Sequence, residues 1–177
     1  MIRMVFSGYG GQGVLTLGEL VATIAMKKGK HVTWMPSYGP EMRGGTANCA
    51  VIVSEKLIGS PLVLSNIDIL VAMNHASVNK FLPKMRAGGL ALINSSIVTD
   101  KITNANGEIV EIDATNIAGK VGDIRVANMV MLAGFLKKTD LFTMEDITAV
   151  LEERFAGSRN KELVPLNIEA IKAGMAQ

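Results

Sequence analysis

The spacing of apolar positions changes period twice within the first forty residues. Ile2 to Phe6 is a short, continuous apolar run that predicts a buried strand. Val14, Leu17, Val21 and Ile24 then recur at helical spacing on one face, and Gly29 ends that helix. His31 to Met35 returns to a strand pattern, so the opening reads as strand, helix, strand. Ala47 to Val53 alternates and is rich in β-formers. After the Ser54-Glu55-Lys56 turn the pattern resumes at Leu57-Ile58 and Pro61 to Val63, which predicts a β-hairpin inserted into a βα series. Ile67 to Met73 and Leu90 to Asn94 read as core strands, separated by a helix over Ser77 to Leu82 that Pro83 stops and by a turn at Ala87-Gly88-Gly89. Ile109 to Asp113 is the last expected strand. Helices follow over Thr115 to Val121, over the strongly apolar Asn128 to Leu136, from a hydroxyl cap at Thr143 to Phe155, and over Lys161 to Met175. The expected architecture is α/β: a single three-layer, Rossmann-like domain over residues 1–177, with a mostly parallel, mixed sheet and the inserted β-hairpin.

Composition sharpens this picture. The chain has 177 residues, 49% of them hydrophobic and only 5% aromatic, as expected of an aliphatic sheet covered by helices on both faces. A formal charge of +2 does not indicate broad electrostatic capture of nucleic acid or of an acidic membrane surface. The first residues do not read as a signal peptide, and no apolar run approaches the roughly 20 residues of a membrane span, so the expected compartment is the cytoplasm. Cys49 is the sole cysteine. That rules out an internal disulfide, and equally an iron-sulfur cluster or structural zinc held by this chain's thiolates alone; the residue reads as a small buried side chain. His31 and His75 stand in no metal-ligand spacing, and no metal is expected.

The densest chemical signal is Ser7-Gly8-Tyr9-Gly10-Gly11-Gln12-Gly13, between the first strand and the first helix. Gly8, Gly10 and Gly13 fit G-x-G-x-x-G, in which one glycine permits a tight turn, one the close approach of an anion and one helix-strand packing. Backbone N–H groups of the first helical turn would point into the gap with the positive end of the helix dipole behind them, an arrangement suited to phosphate, pyrophosphate or carboxylate. The alternative is that the glycines only let the helix pack tightly on the sheet. A dinucleotide site wants an acid roughly 20 residues on, at the end of the second strand. Here Lys27-Lys28-Gly29-Lys30-His31-Val32-Thr33-Trp34 holds none, which disfavours NAD. The lysines could suit a further phosphate or could simply complement a helix C-terminus.

After the second strand, Pro36 to Thr46 forms a loop rich in glycine and proline at the strand's carboxyl end, where open α/β sheets place ligands. Arg43, beside Gly44 and Gly45, suits a bidentate grip on a carboxylate or phosphate; pairing with Glu41 or Asp68 is the structural alternative. Gln12, Ser37, Tyr38, Thr46 and Asn74 are further polar candidates near the expected mouth, and Asn94-Ser95-Ser96 adds polar groups on the same side. No Ser-His-Asp or Cys-His arrangement and no paired carboxylates stand near the turn. The Gly-Asp-Gly and Asn-Asn elements of a thiamine diphosphate site are missing, and Gly122-Asp123-Ile124 does not match them.

Four ordered motifs then carry a resemblance: Gly8-Tyr9-Gly10-Gly11-Gln12-Gly13, Gly39-Pro40-Glu41-Met42-Arg43-Gly44-Gly45, Ser54-Glu55-Lys56-Leu57-Ile58-Gly59-Ser60-Pro61, and Asp68-Ile69-Leu70-Val71-Ala72-Met73. With the late Asn167-Ile168-Glu169-Ala170-Ile171, the chain closely resembles the gamma subunit of 2-oxoacid:ferredoxin oxidoreductases over nearly its whole length. The resemblance implies a complex that decarboxylates a 2-oxoacid on thiamine diphosphate, passes electrons through iron-sulfur clusters to ferredoxin and transfers the acyl group to coenzyme A. It implies alpha and beta partner subunits, with delta as an optional fourth, that carry the thiamine and the clusters. The gamma chain would have no catalytic residue of its own and would help enclose the coenzyme A end of the site. On that reading Gly8, Gly10, Gly11, Gln12, Gly13, Arg43, Gly44 and Thr46 are the expected ligand-binding set, with the N–H groups of Gly10 to Gly13 and the Arg43 guanidinium orienting either coenzyme A, through its phosphates, or the acyl-thiamine edge. The competing reading is a free-standing nucleotide- or flavin-binding protein, which should show an acid after the second strand or aromatics placed to sandwich a flavin; neither is evident.

Overall fold

The computed structural model describes residues 1–38, 45–102, 106–156 and 163–177. Its first strand, β1 (Ile2–Tyr9), is buried on both faces: Met4 and Phe6 point one way, Val5 and Ser7 the other. A strand of this kind belongs inside a sheet, and β1 pairs antiparallel with β3 (Thr46–Ser54) and parallel with β4 (Ile67–Ala72). β2 (His31–Tyr38) lies outside β3, and β5 (Met85–Asn94) and β6 (Glu108–Ile112) continue in parallel beyond β4, giving the order β2-β3-β1-β4-β5-β6. Only β3 runs against the others, so the carboxyl ends of the remaining five strands and the start of β3 share one edge.

The hairpin is present, but its arms differ from those expected. β3 pairs with the preceding β2, from His31 opposite Ser54 to Tyr38 opposite Ala47, and residues 55–66 form no strand. Gly59-Ser60-Pro61 would interrupt a ladder, whereas β2 offers an unbroken register; its Pro36 is tolerated because β2 is an edge strand. Ala87-Gly88-Gly89 is likewise no free turn. β5 runs through it with Gly88 at φ 70° and a register irregularity against Ile67 and Ile69.

One sheet face carries α1 (Val14–Lys27) and α4 (Ala127–Lys138), backed by α3 (Ala114–Val121), α5 (Met144–Phe155) and α6 (Leu163–Met175). The other carries α2 (His75–Phe81), which plants Val78 and Phe81 on Val5, Leu70 and Ile93. α4 is apolar nearly all round because the sheet, α3 and α6 enclose it, and Ala127 to Phe135 are all buried. α1 approaches the sheet closely at Gly18: a Cβ there would lie 2.3 Å from Cys49 Sγ and 3.2 Å from Phe6 Cδ2. Cys49 is fully buried, its Sγ 3.5 Å from the Val14 carbonyl oxygen, and burial pushes its thiol up to about 12. It is the small buried side chain that the sequence suggested, not a nucleophile.

The lysines at the end of α1 and just beyond it lie at the opposite end of β2 from the glycine turn, and acids occupy them: Lys27 pairs with Glu153, Lys28 with Asp146 at 2.6 Å, and Lys30 with Glu55. Asp146 also closes the capping box of α5, where its carboxylate accepts the Thr143 N–H at 2.9 Å and Thr143 Oγ1 accepts the Asp146 N–H at 3.3 Å. The Lys28 hydrogen bond, then that of Thr143, holds the Asp146 carboxyl below its ordinary value. A depressed carboxylate stabilises the fold above its unfolded pKa of about 3.9, and that contribution fades as pH falls through the lower folded value. Asp146→Asn should therefore lose about 0.5 kcal/mol at pH 7, the screened value of an exposed pair, and match the parent in acid below both pKa values. Urea midpoints across that range check it; a difference that persists at the acid end would argue against a charge effect.

Candidate functional site

β1 leads through α1 to β2 on one side of the sheet, while its neighbour β4 leads through α2 to β5 on the other side and over the other face. The gap between the carboxyl ends of β1 and β4 is thus the topological switch point, where open α/β sheets usually admit a ligand. Here it is bridged. Gln12 folds back from the glycine turn so that Oε1 accepts the Tyr9 N–H at 2.7 Å and the Asn74 Nδ2–H at 3.1 Å, while Nε2 reaches the Met73 carbonyl oxygen at 3.4 Å.

The open space lies on the hairpin side of the turn. A cavity of about 510 Å³ is walled by Tyr9 to Gly11 and Gly13 to Thr16 on one side and by Gly45, Thr46 and Ala47 on the other, and among the described residues this wall contains no acidic side chain. The Gly10 N–H donates to the Gly45 carbonyl oxygen at 2.9 Å, tying the two walls together. The Gln12 N–H donates to the Tyr9 carbonyl oxygen at 3.1 Å. Two of the four turn N–H groups expected to face a ligand are therefore committed inside the loop. The free donors lie farther on: no acceptor among the described residues takes the N–H groups of Val14, Leu15 or Thr16, and no side chain caps the helix.

The glycines divide their work differently from the motif's usual assignment. Gly8 is the close-packing member, since a Cβ there would lie 2.7 Å from Gln12 Oε1 and 2.9 Å from Val14 Cγ1. Gly13, at φ 70° and ψ 18°, is the left-handed residue from which α1 starts, and a Cβ on it would lie 2.4 Å from Asn128 Nδ2. Asn128, nearly fully buried at the start of α4, donates to the Gly13 carbonyl oxygen at 3.2 Å. Gly18 supplies a further close approach of α1 to the sheet.

Of the expected set, Gly10, Gly11, Gly13 and Thr46 line the cavity, and Gly8 and Gln12 build the turn behind it. Arg43 and Gly44 lie outside the described residues, as does Glu41. Asp68 is engaged at the far end of the sheet, where it accepts the Arg3 N–H at 2.7 Å and pairs with Arg86. Ser37 is exposed on the edge strand. Ser96 serves α3: its Oγ accepts the N–H groups of Thr115 at 3.0 Å and Asn116 at 3.2 Å. Asn128 was not anticipated as part of the turn, although it is the one polar residue opening an otherwise apolar run.

Among the described residues no group of three or more His, Cys, Asp or Glu side chains is arranged to hold a metal ion, and no helix is long and apolar enough to cross a membrane. The family model described as pyruvate ferredoxin/flavodoxin oxidoreductase matches residues 3–177. Ketoisovalerate oxidoreductase subunit VorA of Methanothermobacter marburgensis is 34% identical over 173 residues, which cover 98% of this chain and 36% of VorA, so the chain spans about a third of that relative's length. The keto/oxoacid ferredoxin oxidoreductase gamma subunit of Geobacter sulfurreducens superimposes with a TM-score of 0.82 at 30% identity, covering 99% of this chain and 97% of the other. The fold recurs, at 20% identity and a TM-score of 0.85, in 30% of a longer chain of the Magnetococcus marinus 2-oxoglutarate:ferredoxin oxidoreductase with 2-oxoglutarate, coenzyme A and succinyl-CoA bound, with 99% of this chain covered. Matched from end to end by the family model and by a separate gamma chain of the same fold, the polypeptide belongs to the gamma subunits of the 2-oxoacid:ferredoxin oxidoreductase family.

Proposed function

We propose that this chain works within a multi-subunit enzyme that converts a 2-oxoacid, coenzyme A and oxidised ferredoxin to acyl-CoA, carbon dioxide and reduced ferredoxin, and that its glycine turn holds phosphate of coenzyme A. The observation that carries this reading is the start of α1: its N–H groups, unshared among the described residues, and the positive helix end open onto a cavity whose described wall bears no carboxylate. The cavity has room for a diphosphate and part of a nucleoside, so the rest of coenzyme A would extend toward partner chains. Arg43 is the proposed side-chain cation and Thr46 the hydroxyl on the facing wall. Holding the thiol's carrier in place would speed acyl transfer by orientation, without a reacting group on this chain.

Thiamine diphosphate and iron-sulfur clusters belong, on this reading, to the alpha and beta subunits and an optional delta subunit. The residues here do not fit either group, since the sole cysteine is fully buried with its thiol raised to about 12 and the thiamine motifs are missing. Leu57 and Leu64, 83% and 74% exposed, supply apolar surface of the kind that companion subunits cover.

Thr46→Glu tests the reading by placing a carboxylate in the cavity wall. In the reconstituted complex it should raise the KM for coenzyme A roughly tenfold while the KM for the oxoacid holds, a differential of about 1.4 kcal/mol. Arg43→Ala should act in the same direction. An unchanged coenzyme A dependence in both variants would sink the proposal, and a tightly bound flavin in the isolated chain would favour the stand-alone reading.

A further inference from the structure

Behind the turn runs a chain of hydrogen bonds, buried at its inner end, that the proposed binding role does not itself require. Ser7 Oγ, on β1, donates to Ser77 Oγ at 2.9 Å. Ser77 donates twice to Asn74 Oδ1, from its N–H and from its hydroxyl, each at 2.9 Å. Asn74 Nδ2 then donates to Gln12 Oε1, which also accepts the Tyr9 N–H of the glycine turn. Ser7, Asn74 and Ser77 are 3%, 1% and 3% exposed, so the inner links of the chain are effectively out of water, while Gln12 and Tyr9 carry it outward to the partly exposed turn. The polarity admits one arrangement: two donors from Ser77 fix which end of the Asn74 amide faces α2, leaving its NH₂ for Gln12, and the Tyr9 N–H requires the Gln12 oxygen.

The same bridge fills the switch-point gap between β1 and β4, so the turn is held from the side opposite the open cavity. We propose that Asn74 is a positioning residue: acting through Gln12, it sets the glycine turn so that the free N–H groups at the start of α1 face the 510 Å³ cavity and whatever anion binds there. The inference rests on the reading that coenzyme A phosphate occupies that cavity. Asn74 touches no ligand in this scheme. It removes the freedom of the turn to collapse toward the switch point, which would turn its donors away.

Asn74→Asp separates this role from the capping of α2. An aspartate still accepts both bonds from Ser77, but it offers Gln12 an oxygen where a donor is needed. In the reconstituted complex, Asn74→Asp should raise the KM for coenzyme A about fivefold, the loss of one hydrogen bond, with kcat and the oxoacid KM unchanged. In the same protein, amide hydrogen exchange should accelerate at Tyr9 while the protection of α2 is kept. If Thr46→Glu shifts the coenzyme A KM and Asn74→Asp does not, binding at the turn stands and the positioning role is overturned. If neither variant shifts it, both ideas fall. A variant in which α2 loses its protection while Tyr9 keeps its own also overturns the proposal, because Asn74 would then act only as a helix cap.

Discussion

Gly13→Ala should be among the most damaging single substitutions outside the central strands, costing about 3 kcal/mol of folding stability. Two independent effects add. An alanine at φ 70° meets the left-handed penalty of about 1–2 kcal/mol. Its Cβ would also sit 2.4 Å from Asn128 Nδ2, and overpacking of that kind costs about 1–3 kcal/mol. Asn128 has little room to yield: it is buried, and its amide already serves the Gly13 carbonyl and the Met129 N–H. Guanidinium unfolding of the single variant, of Asn128→Ala and of the double variant apportions the loss. The double variant should recover the packing part relative to the sum of the singles and retain the backbone part. Equal midpoints for Gly13→Ala and the parent would mean that the turn reaches α1 by another path.

Gly18→Ala should show the opposite balance of local and tertiary effects. Within an isolated helix the change is favourable by about 1 kcal/mol, because alanine is the better helix former. Here the new methyl would fall 2.3 Å from Cys49 Sγ, with Phe6 and Val51 behind it, and we expect a net loss of about 2 kcal/mol. In a Cys49→Ala background the sulfur is gone and the same glycine substitution should become close to neutral. The resulting interaction of about 2 kcal/mol is within the range for residues in contact. Additive effects would place the helix farther from β3 than 2.3 Å implies. The thiol offers a second readout: it should resist labelling in the native parent and react on unfolding.

These two glycines show what could be read from the sequence. The strand, the turn and the helix at the beginning of the chain follow from local periodicity, and so do β4, β5, β6 and the later helices. Thr143 and Asp146 mark the start of α5 by residue type alone. Pairing is a different matter. β3 was expected to fold back on Leu57 to Val63 because a turn signal stands between them, yet its partners are β2 on one side and β1 on the other. No local pattern states which of several β-prone segments will be neighbours. Gly10, Gly11, Gly13 and Thr46, which spacing and polarity put near the mouth, line the cavity. That Gln12 would turn inward to Asn74, and that Asn128 would meet Gly13 across 115 positions, depends on how helices from distant parts of the chain come together. The divided roles of the glycines followed from the same cause, since α4 occupies the space that a simpler strand-turn-helix unit would leave to the sheet.

The chain's single tryptophan, Trp34, stands 39% exposed on the edge strand β2, beside α1 residues Ala22, Thr23 and Met26. Its fluorescence is therefore a native probe of the hairpin rim, whereas the far-ultraviolet dichroism of the chain is dominated by helices stacked on the sheet. Followed side by side during denaturation, the two signals compare the margin of the molecule with its interior, and their coincidence or separation is a direct test of all-or-none unfolding.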